Sequence, residues 1–192
     1  MNTKERLSKI EKKISSPEFR NDLGGANEVN YFVFDYEPKD ELIVREYVEG
    51  LVNKINSQTF LDYHISCFDL YEILINYLKE EDLFEAIFEM EEEEGWEEVV
   101  NSIIDSMGID TLEDNYFINH IAENIDENSI VFITGVGKVF PVVRAHKILN
   151  NMHQMIEKVP VVLFLPGTYS GLEIKLFGTL GNNYYRSFRL ID

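Results

Sequence analysis

The chain has 192 residues, 45% of them hydrophobic and 12% aromatic, which is enough apolar material for one sizeable core and too little length for two. That composition excludes a wholly disordered protein, and no run of about eighteen apolar residues is present to span a membrane. The formal net charge of −18 opposes binding to a phosphate backbone.

The charge is unevenly placed. Residues 129–192 carry 7 Lys/Arg against 3 Asp/Glu, a net of +4, which leaves −22 on residues 1–128. A single cysteine, Cys67, provides neither a disulfide nor a thiolate zinc site. The opening residues are charged and amphipathic and lack the apolar stretch of a signal peptide. A cytoplasmic protein that neither enters membranes nor binds nucleic acid tightly by itself is expected.

Leu7, Ile10 and Ile14 recur at helical spacing and predict a helix over residues 3–15, with Thr3 as its cap and Pro17 just beyond its end. Asn21 to Asn27 reads as a loop. Val29 to Tyr36 is almost continuously apolar, as a strand buried on both faces is. Pro38, Asp40 and Glu41 open a helix running to about Asn56. Phe60 to Phe68 predicts a second strand, after which Asp69 caps a helix bearing Leu70, Ile73, Leu74 and Tyr77. This alternation argues for βαβ units and a parallel sheet.

The rhythm breaks at residues 80–98, which hold eleven carboxylates and no Lys or Arg. Leu83, Phe84, Ile87 and Phe88 still mark a helical face there, Trp96 to Ile104 continues it, and a further helix is expected from Thr111 to Asn124. Residues 80–126 therefore read as an acidic helical insertion in the α/β body.

Ser129 to Thr134 is a buried-type strand ending in Gly135-Val136-Gly137-Lys138, and a helix is expected from Pro141 to about Glu157. Lys158 to Leu165, Leu172 to Phe177 and Tyr184 to Ile191 read as strands. The fold class predicted is a three-layer α/β domain spanning residues 1–192, its mostly parallel sheet of about five strands flanked by helices on both faces.

Thr134, Gly135, Gly137 and Lys138, following a buried strand, form a candidate anion-binding loop whose backbone N–H groups and lysine suit a phosphate. It is not a P-loop: Phe132 stands where the first glycine belongs, and Val139 where Ser or Thr would hold magnesium. Nor does a third glycine complete a dinucleotide fingerprint. His146 and His153 are seven residues apart rather than three or four, with no nearby carboxylate to complete a metal site. Cys67 lies in an apolar strand, where packing as a small hydrophobe is expected, and neither Ser170 nor Ser187 sits in a nucleophile elbow. No catalytic constellation, cofactor or metal is expected. Asn182-Asn183-Tyr184-Tyr185-Arg186 combines the residue types that dominate binding hot spots.

Several segments together resemble the BrxB family of the bacteriophage exclusion (BREX) systems: Phe34-Asp35-Tyr36 with Pro38 and Glu41, Phe68-Asp69-Leu70-Tyr71, Thr134-Gly135-Val136-Gly137, and Phe140-Pro141-Val142-Val143-Arg144-Ala145-His146. The run continues with Pro160 to Gly167, Leu176-Phe177-Gly178, and Asn183-Tyr184-Tyr185-Arg186-Ser187-Phe188. The resemblance is dense in the last third and weak over residues 80–126. It implies an accessory, non-enzymatic component of an anti-phage complex, associated with PglZ, an alkaline-phosphatase-like subunit. Arg144, Tyr185 and Arg186 are the candidate partner-binding residues, with the acidic helices as a second surface. Two other readings stand beside it: a degenerate nucleotide- or anion-binding regulatory subunit using Thr134 to Lys138, and a nucleic-acid-binding component using the basic last third.

Overall fold

The computed structural model describes residues 1–21, 30–111, 113–144, 147, 151–152, 156, 159–171, 173–177 and 187–192. Five parallel strands form the sheet in the order β2-β3-β4-β1-β6, and a short antiparallel strand, β5, pairs with β4. They are β1 (Tyr31–Tyr36), β2 (His64–Asp69), β3 (Ser129–Thr134), β4 (Val161–Tyr169), β5 (Ile174–Leu176) and β6 (Phe188–Arg189). β1 lies in register with β4 from Tyr31↔Val161 to Tyr36↔Pro166, and β2 with β3 from His64↔Ser129 to Asp69↔Thr134.

Nine helical segments with described bounds accompany them. α1 (Thr3–Leu7), α2 (Ile10–Ile14) and α3 (Pro17–Asn21) precede β1. A 3-10 turn (Pro38–Asp40) leads into α4 (Glu41–Asn56), and α5 (Leu70–Glu80), α6 (Phe84–Glu94), α7 (Trp96–Ser106) and α8 (Tyr116–Glu123) lie between β2 and β3.

The chain leaves β1, passes through α4 to the sheet edge at β2, then returns through α5–α8 to β3. These crossovers run in opposite directions, so a common right-handed sense puts their helices on opposite faces. The packing agrees. Phe34, Tyr36, Ile65, Ile130, Phe132, Val162 and Phe164 join Val44, Val48, Leu51 and Ile55 of α4, together with Leu7, Ile10 and Ile14. Alternate strand residues, among them Tyr31, Val33, Val131, Ile133, Val161 and Leu163, join Leu70, Ile73, Leu74, Ile103, Phe117 and Ile121 on the other face. Complete burial of a side chain such as Phe34 contributes about 1.5–3 kcal/mol. Two filled faces therefore account for strands that read as apolar runs rather than alternations.

Several expected boundaries move. The first helix breaks at Ser8-Lys9, and Asn2 rather than Thr3 supplies the capping box; Pro17 lies just beyond its end at Ile14, as expected, and itself starts α3. Proline suits a first helical turn because its missing N–H is unpaired there anyway. β2 starts at His64; Phe60 lies in a turn, 80% exposed. α8 starts at Tyr116, where the Asn115 side chain accepts from the Ile118 N–H, so the helix expected from Thr111 loses its first turn. No helix starts at Pro141: residues 136–143 are turns, and the Phe140–Pro141 peptide is cis. Lys147, Asn151 and Met152 are helical. The last strand is confined to Phe188–Arg189 among the described residues, with residues 184–186 outside them.

Candidate functional site

The carboxyl ends of parallel strands are where open α/β sheets bind ligands. Here they carry Asp35-Tyr36, Asp69, Thr134-Gly135 and Pro166–Tyr169. Asp69 ends β2 and caps α5, its Oδ1 accepting from the Tyr71 N–H at 2.9 Å. Its Oδ2 accepts from Lys138 Nζ at 2.5 Å, and the same ammonium lies 5.2 Å from the centre of the Tyr71 ring.

Two of the four candidate anion-loop residues, Gly135 and Lys138, thus meet one internal carboxylate. Gly135 has φ +74, and a Cβ added there would stand 2.2 Å from Asp69 Oδ1. Thr134 neighbours it, with its hydroxyl 3.5 Å from the Phe68 carbonyl. Gly137 turns the other way, against the Phe177 ring and Pro166. An external anion at this loop would meet a carboxylate already in place, beside a lysine already paired.

Next to the loop, α4 leaves the carboxyl half of β2 and the end of β3 at Thr134 partly uncovered. A cavity of about 240 Å³ opens there, lined by Tyr36, Val44, Val48, Val52 and Phe164, with Cys67, Thr134 and Gly135 on the sheet side. Glu41, Arg45, Glu49, Asn53 and Asp69 supply its polar groups. The Tyr36 hydroxyl donates to Glu41 Oε2 at 2.5 Å, and Arg45 Nη2 donates to Glu41 Oε1 at 3.2 Å. Burial and the Glu41 carboxylate hold the Tyr36 phenol far above its usual range.

Cys67 does not pack as a core hydrophobe. It is solvent-exposed because it lines this cavity: water reaches the residue while protein crowds the sulfur from other sides. Burial, with a smaller push from Asp69 and an opposing hydrogen bond with Thr134, raises the thiol from 9.0 to about 11. The neutral thiol therefore contributes fully to stability below about pH 9 and loses that contribution as the pH climbs to about 11. Iodoacetamide labelling of the native chain is expected to be slow at neutral pH and to keep rising toward about pH 11. A rate that levels off by about pH 9, as in the denatured chain, would contradict this environment.

A second cluster was not foreseen. Asp35, only 10% exposed, pairs with Arg6 Nη2 at 2.7 Å and with Arg189 Nη2 at 3.5 Å, and accepts from the Tyr169 N–H at 3.0 Å. Arg6 also donates to the Asp35 and Ile191 carbonyls and lies 4.7 Å over the Phe34 ring, while Arg189 donates to the Tyr169 carbonyl. This clamp joins α1, β1, β4 and the C-terminal strand. The available signal was a carboxylate inside an apolar strand, which requires a buried partner.

Among the candidate partner-binding residues, Arg144 is exposed, and Tyr185 and Arg186 lie outside the described residues, as do His146 and His153. Close in sequence to Arg144, Phe140 meets Phe177 edge-on at 6.4 Å, and both rings are exposed. On the acidic side, α6 buries no residue, and Phe88 and Trp96 are 59% and 57% exposed. Among the described residues, no cluster of His, Cys, Asp and Glu is arranged to hold a metal, and no helix is long and apolar enough to cross a membrane.

Comparison with known proteins agrees with the dense C-terminal motifs. The family profile described as BREX protein BrxB matches residues 66–190. A BREX protein BrxB of Bacillus cereus (strain H3081.97) is 41% identical over 189 residues, covering 98% of this chain and 97% of the relative. Another of the same description, from Escherichia coli O9:H4 (strain HS), is 31% identical, covering 97% and 90%. No solved structure matches the chain. The profile match and both near-full-length relatives place the chain in the BrxB family of BREX proteins.

Proposed function

We propose that the protein is a cytoplasmic, non-enzymatic adaptor of a BREX anti-phage complex, a single α/β unit that docks a PglZ-like subunit of the alkaline-phosphatase superfamily. The observation that carries this reading is the surface of α6 and α7. Phe84–Glu94 holds six carboxylates and Trp96–Ser106 three, and among the described residues none has an ion-pair partner. A stripe of unneutralised charge opposes itself and costs stability unless it meets a basic partner. Two exposed large aromatics beside it, Phe88 and Trp96, supply the apolar anchors that interfaces place among polar groups. The exposed Phe140 and Phe177 rings, with the exposed cation Arg144 close by in sequence, offer a second candidate surface.

Co-expression of the tagged chain with its genomic neighbours is expected to yield a stoichiometric complex with the phosphatase-like subunit on size exclusion. Trp96→Ala should weaken that complex about tenfold or more, the scale of a hot-spot truncation, without loss of folding. Charge reversal by Arg144→Glu or Arg186→Glu is expected to weaken it as well. Elution of the chain alone at moderate salt would overturn the adaptor reading.

A further inference from the structure

We propose that the cavity under α4 receives a lysine or arginine side chain of the protein partner. This rests on the adaptor reading and assigns that reading a point of insertion. Residues 41, 44, 45, 48, 49, 52 and 53 of α4 line the cavity at spacings of three and four, one helical stripe about 18 Å long. Val44, Val48, Val52 and Phe164 make the surface apolar, which suits a methylene stem. The polar groups on the same stripe decide the sign of the charged end.

Three carboxylates, Glu41, Glu49 and Asp69, face one guanidinium, Arg45. Glu41 is shared by Tyr36 and Arg45, and Asp69 is held by Lys138. Glu49 has no ion-pair partner among the described residues. An apolar slot with one carboxylate left over selects an apolar stem ending in a cation. It disfavours an anion, whose charge would meet carboxylates along the slot. The basic partner that α6 and α7 call for carries side chains of this chemistry.

Cys67 is the chain's one cysteine and lines the slot, so its modification reports occupancy without an engineered label. In the free chain, thiosulfonates bearing a trimethylammonium or a sulfonate are compared at about pH 9, where some thiolate is present. Glu49→Gln is expected to lower the ratio of cationic to anionic labelling rates by about threefold or more. In the complex purified with the phosphatase-like subunit, Cys67 labelling should slow by about tenfold or more, and Glu49→Lys should weaken the complex by a similar factor.

A complex in which Cys67 reacts as fast as in the free chain overturns this proposal and leaves the adaptor reading standing. An unchanged rate ratio in Glu49→Gln also overturns it, because the slot then does not discriminate by charge. Absence of any complex overturns both readings together.

Discussion

Asp35→Ala is expected to cost about 3–5 kcal/mol of stability, the range for truncating one member of a buried, hydrogen-bonded ion pair. The carboxylate serves three donors from distant parts of the chain: Arg6 at 2.7 Å, Arg189 at 3.5 Å and the Tyr169 N–H at 3.0 Å. Removing it leaves the Arg6 guanidinium, 13% exposed, without its carboxylate, and orphans a buried backbone N–H. Arg6 keeps only carbonyl acceptors and the Phe34 ring. For a domain stable by about 5–15 kcal/mol, such a loss raises the unfolded fraction a hundredfold or more. Urea denaturation checks it: the midpoint should fall while the slope holds. Asp35→Asn, which retains an acceptor for Tyr169, should cost less. In Arg6→Ala/Asp35→Ala the two costs should fall well short of additivity, because each single variant already breaks the same pair. A loss below about 1 kcal/mol for Asp35→Ala would show that the clamp does not hold the chain ends to the sheet.

The clamp is held by residues far apart in the chain, which no local sequence pattern joins. Local signals placed β1, α4, the Asp69 cap and β3, because apolar periodicity and capping chemistry act over a few residues. Val44, Val48, Leu51 and Ile55 declare the buried face of α4 by spacing alone. By contrast, Asp35 meets Arg6 and Arg189 only once β1 lies between β4 and β6, which no local pattern encodes. Cys67 looked like core because its strand is apolar. Its exposure follows from β2 being the sheet edge and from α4 leaving that strand's carboxyl half uncovered. At Pro141 the proline suggested a helix start, whereas the described backbone there is a series of turns. The Gly135–Lys138 loop was legible as the end of a buried strand, though turns rather than the expected helix follow it, and the Asp69 carboxylate that meets Lys138 comes from a segment about seventy residues away.

Gly135→Ala tests that loop, with an expected cost of about 2–4 kcal/mol. Two effects add. The backbone has φ +74, a left-handed conformation that costs a residue with a Cβ about 1–2 kcal/mol. The new methyl would also stand 2.2 Å from Asp69 Oδ1 and 2.9 Å from its Cγ, so the carboxylate must leave its place. Moving it gives up the α5 cap, worth about 1 kcal/mol, and the contact with Lys138. Gly50→Ala is the matching control. It lies exposed within α4, its added Cβ would touch nothing within 4 Å, and the helix-propensity gain predicts stabilisation of up to about 1 kcal/mol. One substitution should therefore have opposite signs at two glycines of the same chain. In an Asp69→Ala background the clash with the carboxylate is gone, and Gly135→Ala should cost its backbone strain and the 3.1 Å approach to the Leu70 N. A cost in that background equal to the cost in the native chain would mean that Asp69 does not occupy the loop, leaving the lysine and the glycine turn free for an external anion. A reduced cost would identify Asp69 as the carboxylate around which the Gly135 turn is built.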